Sequence, residues 1–414
     1  MTDNNKGPLK KLALALAAVG PGLFLIGYNI GTGSVTTMAK AGAKYGMGLF
    51  WALALSALFT YVLMVAYGQL TLVSGQTALR NFRNHFRIGK GLAIYVIIAL
   101  VAGELMAVMG VMGIVTDLLG EGWRLLFGTE GSPFLITFVL TIGLFTLLWF
   151  GRYKEFEKLL IVFVILMGVS FIVVFLMVKP EVGVIVKGLV PSVPDEDGAL
   201  QLVAAMAGTT CSAAVFIVRS TVVAEKGWTI NHLSTEKRDS LVSAGMMLFL
   251  SAIIMAVAAG TLHVMGLELT NTVEMISLFE PLGGKVAAAI LILGIAGAGL
   301  STVFPIILIA PWLICDYAGK ERNVQSPMFR ILGGVGLLFG FGLLFLDERP
   351  PAMMVFSQAF QALILPAVAI PAFLLINSEK IMGKNKAGLL MNIGMVAVII
   401  FSLVTSWFAI ADLF

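Results

Sequence analysis

Long apolar runs, separated by short polar segments, follow one another along the whole chain. A membrane-spanning helix needs about 20 apolar residues, and eleven stretches have this character. The pattern therefore predicts an all-α integral membrane protein with eleven spans. They lie near residues 12–38, 47–76, 91–116, 133–150, 158–178, 199–223, 240–265, 285–315, 328–346, 352–376 and 388–412.

Composition supports this prediction. The 414 residues are 59% hydrophobic and only 12% charged, whereas soluble domains carry about 25% charged residues. No low-complexity tract or long linker divides the chain, so we expect residues 1–414 to form one transmembrane domain.

The basic residues are distributed unevenly between the predicted loops. With the N-terminus in the cytoplasm, nineteen Lys and Arg fall on cytoplasmic segments and seven on external ones, and Arg219 inside the sixth span completes the 27. The positive-inside rule therefore predicts a cytoplasmic N-terminus and an external C-terminus. The net charge of +4 follows from this topology, and we expect no nucleic-acid partner.

The first predicted span is interrupted by glycines and polar side chains near its middle. Each glycine inside a helix costs roughly 1 kcal/mol relative to alanine. Non-helical backbone at membrane depth is tolerated where it lines a cavity. We therefore expect a break here that forms half of a substrate site, at Gly27, Asn29, Gly31, Thr32, Gly33 and Ser34.

The sixth predicted span carries a similar patch, with Gly208, Thr209 and Ser212 near its middle. Five spans precede it, so it enters the membrane from the side opposite to the first. Two interrupted helices at matching places in oppositely oriented halves indicate a transporter site at the interface of inverted repeats. We predict five-helix repeats at about 12–178 and 199–376, and an additional helix at 388–412.

Few ionisable groups lie inside the predicted spans, and such groups are functional candidates. Glu104 is predicted to accept a proton or a hydrogen bond from substrate, or else to be a paired structural carboxylate. Arg219 has a coupling or gating role, or its side chain extends to the membrane interface. Gln358 and Gln361 in the tenth span offer both donors and acceptors, for substrate or for a neighbouring helix.

The chemistry of the two interrupted helices favours a neutral, hydroxyl-rich solute. They offer hydroxyls, carbonyls, one amide and Cys211, and without a carboxylate the dehydration of a divalent ion is poorly compensated. No nucleophile has a base in reach, so we expect neither an enzyme nor a cofactor. The predicted substrate-binding set is Asn29, Gly31, Thr32, Ser34, Glu104, Thr209, Ser212, Gln358 and Gln361.

Several sequence blocks resemble the NRAMP family of proton-coupled divalent-metal transporters. They are Ala-Gly-Ala-Lys-Tyr-Gly at 41–46, Glu-Pro-Leu-Gly-Gly-Lys at 280–285, Ala-Gly-Leu-Ser at 298–301, and Phe-Ser-Gln with two later prolines at 356–371. The resemblance covers nearly the whole chain. It implies a LeuT-type fold with two inverted five-helix repeats. The first helix of each repeat is unwound, and these are helices one and six of the chain.

The chain departs from the family pattern at the functional positions. The family's first-helix Asp-Pro-Gly-Asn is matched by Gly-Thr-Gly-Ser at 31–34, and its sixth-helix Met-Pro-His by Ser-Ala-Ala at 212–214. A later histidine is matched by Arg219, and two acids of the third helix fall at Val111 and Ile114. The resemblance therefore implies that the metal ligands and the proton relay are missing.

Two family positions are retained, Glu104 in the third span and Gln358 in the tenth. With its altered site, the chain is similar to NRAMP-related bacterial glucose transporters. This resemblance, with the hydroxyl-rich site, predicts a monomeric transporter of a monosaccharide such as D-glucose in the bacterial inner membrane. We expect alternating access, facilitative or only weakly proton-coupled.

Two other functions remain open from the sequence. The first is an NRAMP-type transporter of Mg²⁺ or Mn²⁺, with Mg²⁺ carried inside part of its water shell. The second is a carrier of another small solute such as an amino acid, whose carboxylate half-helix N-termini would bind. A receptor on a transporter fold is disfavoured, because no long tail or soluble module could act as its output.

Overall fold

The computed structural model describes residues 31–151, 153–346 and 348–411, and these ranges contain helices, turns and loops but no strand. The helices are α1 Thr32–Tyr45, α2 Phe50–Ser74, α3 Ala78–His85, α4 Gly89–Phe127, α5 Pro133–Phe150, α6 Tyr153–Val178, α7 Val182–Lys187, α8 Ala199–Thr210, α9 Ala213–Glu225, α10 Leu233–Gly260, α11 Gly284–Ala318, α12 Pro327–Leu338, α13 Pro350–Ile376, α14 Glu379–Met382 and α15 Leu389–Ala411. Short 3₁₀ segments lie at Ile230–His232, Thr272–Leu282, Phe339–Leu344 and Gly383–Asn385.

The described residues contain nine helical segments long and apolar enough to cross a membrane, with α8 and α9 together as one of them. Val164–Val178, within α6, is a shorter apolar helical segment. The all-helical membrane architecture is therefore confirmed, whereas the count of eleven is not. Most of the first predicted span lies outside the described residues, and its described part, α1, continues to Tyr45.

The centre of the structure is built around α13, which packs against α4, α8 and α15. On one side α11 packs against α4 and α6, and on another α10 packs against α1 and α2. This arrangement brings the start of α1, the end of α8 and the middles of α4, α11 and α13 to one place.

The sixth predicted span is broken, as the sequence predicted. Helix α8 ends at Thr210, α9 begins at Ala213, and Ser212 between them has an extended backbone. The break leaves backbone groups that need new partners. The Thr60 hydroxyl of α2 donates to the Thr210 carbonyl at 2.8 Å, and so satisfies one of them.

Gly208 lies just before this break and lets the backbones of α8 and α13 come into direct contact. A Cβ at position 208 would clash with the Gln358 carbonyl of α13. Glycine is required here by the close approach of the two helices rather than by an unusual backbone conformation, because Gly208 lies within the helix.

Candidate functional site

A small cavity of about 40 Å³ lies where the broken helix ends meet the middles of α4, α11 and α13. Seven of the predicted site residues line it. The lining residues are Gly31, Gly33, Ser34, Glu104, Ala107, Val111, Thr209, Ser212, Thr302, Ile306, Met354, Gln358 and Gln361.

A pair of hydroxyls joins the two interrupted helices at the cavity wall. Ser34 Oγ of α1 and Thr209 Oγ1 of α8 are 2.9 Å apart, in hydrogen-bond contact, and both side chains are buried. Ser212, which precedes α9, lines the same cavity. These three residues of the predicted substrate-binding set therefore lie around one cavity.

Glu104 and Gln361 form a second polar pair in the wall, between α4 and α13. The Gln361 amide Nε2 donates to Glu104 Oε1 at 3.1 Å. Both residues are buried, and Gln361 Oε1 has no hydrogen-bond partner among the described residues. The carboxylate of Glu104 is thus held at the cavity, together with an acceptor oxygen that remains available.

The Gln358 amide occupies space that a glycine leaves open. A Cβ at Gly33 would lie 2.9 Å from Gln358 Nε2. This nitrogen is 3.6 Å from Met354 Sδ and 3.5 Å from Ser357 Oγ, long contacts that leave the amide weakly held. Because the side chain lines the cavity, its amide is available to a ligand there.

Of the predicted substrate-binding residues that the structure describes, one does not line the cavity. Thr32 is fully buried beside it, and its hydroxyl has no hydrogen-bond partner within the described ranges. Asn29 lies outside the described residues.

Thr302 of α11 lines the cavity, although it was not predicted. Its hydroxyl donates to the Ala298 carbonyl at 2.6 Å, and a Cβ at Gly31 would clash with it. The one signal in the sequence that pointed to Thr302 was a hydroxyl within the apolar eighth span. Hydroxyls in spans also bond to their own helix, as this one does, so the sequence did not distinguish the two roles.

Arg219 lies outside the cavity wall, in the packed interior between α9 and α10. Its side chain is fully buried. Nε and Nη2 donate to Glu236 Oε1 of α10 at 3.0 and 2.7 Å, and Nη1 is 2.6 Å from Asp239 Oδ2. The side chain of Arg219 is therefore paired with two acidic residues inside the protein rather than exposed to solvent. A coupling or gating role and extension to the membrane interface both stay predictions.

The sequence had assigned Glu236 and Asp239 to the loop before a span at 240–265, but α10 begins at Leu233 and buries both acids. The signal that could have found them was Arg219 itself. A buried guanidinium requires a carboxylate partner, and these are the first acids of the following span.

The cavity could bind a metal ion through oxygen atoms, most of which belong to neutral groups rather than to carboxylates. Among the described residues no group of three or more His, Cys, Asp or Glu side chains could hold a metal ion. Glu104 contributes the carboxylate in the wall, and the other polar groups there are hydroxyls and amides. Such ligands are typical of hard cations that keep part of their water shell.

The family model described as natural resistance-associated macrophage protein-like, Nramp, matches residues 22–412. The divalent metal cation transporter MntH of Pectobacterium carotovorum is 25% identical over 383 residues, covering 89% of this chain and 87% of the relative. MntH of a Nostoc species is 26% identical over 396 residues, covering 89% of this chain and 85% of the relative.

Solved structures show the same fold. The Eremococcus coleocola manganese transporter matches with a TM-score of 0.71 at 16% identity, covering 98% of this chain and 88% of that chain. The nucleobase-cation-symport-1 family transporter Mhp1 matches with a TM-score of 0.59 at 14% identity, covering 95% of this chain and 92% of that chain. The predicted LeuT-type fold is confirmed.

The predicted sugar function is wrong. The relatives are named divalent metal cation transporters and the matching structure is a manganese transporter, so the findings favour the metal alternative over D-glucose as substrate or partner. The absence of first-helix ligands disfavours a metal only if the ion sheds its water, and an ion can retain water in place of protein ligands. With a family match over nearly its whole length, this multi-pass membrane protein belongs to the Nramp family.

Proposed function

We propose that the chain transports a divalent metal ion, Mg²⁺ or Mn²⁺, across the membrane by alternating access. The observation that carries the proposal is the small oxygen-lined cavity of about 40 Å³ with Glu104 in its wall. Pockets for drug-sized ligands are about 300–1,000 Å³, so this cavity suits an ion with a few waters. The names of the relatives support the same substrate class.

The polar groups of the wall would bind the ion partly through water. Ser34, Thr209 and Ser212 supply hydroxyls, and the side-chain carbonyls of Gln358 and Gln361 supply stronger oxygen ligands. Mg²⁺ dehydrates reluctantly and keeps several waters. A retained water shell would therefore make up for the carboxylate that the first helix does not supply.

Glu104 would supply the negative charge that balances the ion. Glu104→Gln keeps the shape and the contact with Gln361 but removes this charge, so we expect it to weaken Mg²⁺ and Mn²⁺ binding by about tenfold or more. Isothermal titration calorimetry on the purified protein measures the change. The matched control is Glu121→Gln. Glu121 lies on α4 far from Glu104 and forms an ion pair with the half-exposed Arg124.

Equal affinities for the Glu104→Gln variant and the unmodified protein would contradict the role of Glu104. An affinity lowered equally by Glu121→Gln would also contradict it, because the effect would then not be specific to the cavity.

We further propose the predicted arrangement in a bacterial inner membrane, as a monomer with a cytoplasmic N-terminus and without catalytic activity. The distribution of Lys and Arg supports the orientation. Labelling of single cysteines introduced into the loops with a membrane-impermeant thiol reagent tests it, since the native Cys211 and Cys315 are both buried and would not react. The inverted repeats at 12–178 and 199–376 are part of the same proposal.

A further inference from the structure

Glu236 has two carboxylate oxygens in very different surroundings. Oε1 accepts hydrogen bonds from Arg219 Nε and Nη2 and, at 3.4 Å, from the Ser240 hydroxyl. Oε2 is buried and accepts no hydrogen bond from the described residues. The side chains of Arg219 and Glu236 are both fully enclosed, so solvent does not compensate for this imbalance.

We propose that Glu236 is a proton-binding site, with the proton on Oε2, separate from the cavity. The inference rests on the contacts of α9 and α10 and does not depend on which substrate is transported. The ligand is a single proton, taken from solvent and returned to it.

Charge competition favours the protonated form. The guanidinium of Arg219 cannot lose its own proton, and it is shared with Asp239, whose Oδ2 is 2.6 Å from Nη1. An anionic Glu236 would leave Oε2 carrying negative charge in an enclosed place without a donor, which is costly. The proton removes this charge while Oε1 keeps its bonds to Arg219.

Among the side chains that the structure describes, the helices packed against α10 bring no further cation close to Glu236. On α2, Gly68 lies directly against the carboxylate, and the neighbouring Tyr67 hydroxyl donates instead to the Val368 carbonyl. The described side chains of α6 include no titratable group. On α1, Lys40, Lys44 and Tyr45 lie towards the other end of α10, where Gly42 meets Met255.

The remaining charged groups near the start of α10 point to solvent. Lys237 and Arg238 are exposed, and His232 in the preceding turn is exposed and stacked on Trp228. The helix dipole favours an anion in the first turn, but its effect falls off by the end of that turn, where Glu236 lies. Because exposed residues surround this turn, a small opening would let the proton exchange with solvent.

Protonation of Glu236 and the position of α9 are linked through Arg219. Helix α9 begins directly after the break that forms part of the cavity wall. A movement of α9 that withdrew Arg219 would change the proton affinity of Glu236, and by reciprocity the proton would favour one position of α9.

Infrared spectroscopy tests the proposal without any transport assay. At neutral pH, the unmodified protein should show the carbonyl band of a protonated carboxylic acid, shifted in D₂O, that is lost in Glu236→Gln and kept in the control Glu121→Gln. A band unchanged by Glu236→Gln would overturn the proposal. If that variant does not fold, the unmodified protein is labelled with ¹³C-glutamate instead. The absence of any protonated-glutamate band in its spectrum would then overturn the proposal.

Stability against pH gives an independent readout. A native state that holds one proton more than the unfolded state becomes less stable as pH rises, by about tenfold in the unfolding equilibrium for each pH unit. We expect the melting temperature of the unmodified protein to fall between pH 5 and 8, and Glu236→Gln to flatten this dependence. An equally steep dependence in Glu236→Gln would place the proton elsewhere and contradict the proposal.

Discussion

Replacing Arg219 by methionine is expected to lower the free energy of unfolding by about 3–5 kcal/mol, because it leaves the buried Asp239 carboxylate and the Glu236 carboxyl group without their partner. Methionine fills a similar volume, so the loss arises mainly from charge rather than from a cavity. Both Glu236 and Asp239 contact the guanidinium, and neither has access to solvent that could replace it. We expect little folded protein from this variant.

Arg124→Met is the matched control for this prediction. Arg124 also forms an ion pair, with Glu121 at 2.7 Å, but its side chain is 56% exposed, and exposed ion pairs contribute little to stability. Thermal unfolding of the detergent-solubilised variants, followed by size-exclusion chromatography, compares the two. Similar melting temperatures for Arg219→Met and Arg124→Met would show that the buried ion pairs do not stabilise the fold.

The Gly208→Ala substitution should destabilise the protein by about 1–3 kcal/mol, the usual cost of an added methyl in a packed interior. The added Cβ would clash with the Gln358 carbonyl, which is backbone and cannot turn away like a flexible side chain. Helix α8 would have to move away from α13. Since Thr209 on α8 and Gln358 on α13 both line the cavity, ion binding should weaken as well.

Gly245→Ala gives the matched control. Gly245 lies within α10, is exposed, and a Cβ there would meet nothing within 4 Å. Alanine has the higher helix propensity, so this variant should be neutral or slightly more stable. If Gly208→Ala unfolds at the same temperature as Gly245→Ala, the close approach of α8 and α13 is not a structural requirement.

Hydropathy predicted most of the fold because long apolar helices dominate it. The break between α8 and α9 was also predictable, since glycine and hydroxyl residues accumulate in the middle of that span. The start of α10 was not. Glu236 and Asp239 made its first turns read as a loop, and their partner Arg219 is seventeen residues before Glu236 in the chain. Hydropathy does not detect a pairing across a turn.

Seven residues of the predicted substrate-binding set lie around one cavity, whereas the substrate class inferred from their chemistry was wrong. Ser34 and Thr209 were expected to meet, and they are in hydrogen-bond contact. The reason for preferring a sugar over a metal was the absence of an acid on the broken helices, but the carboxylate in the wall comes from the intact α4, as Glu104. Packing of α4 against α13 brings it there, and this contact is not encoded in local sequence.

The central claim is that this Nramp chain carries a divalent metal ion. It is tested most directly by uptake into proteoliposomes of the purified protein, with a divalent-metal indicator inside and radiolabelled glucose assayed in parallel. We predict uptake of Mg²⁺ or Mn²⁺ above that of protein-free liposomes, reduced in the Glu104→Gln variant, without glucose uptake. Glucose uptake competed by unlabelled sugar, with no metal signal, would contradict the claim.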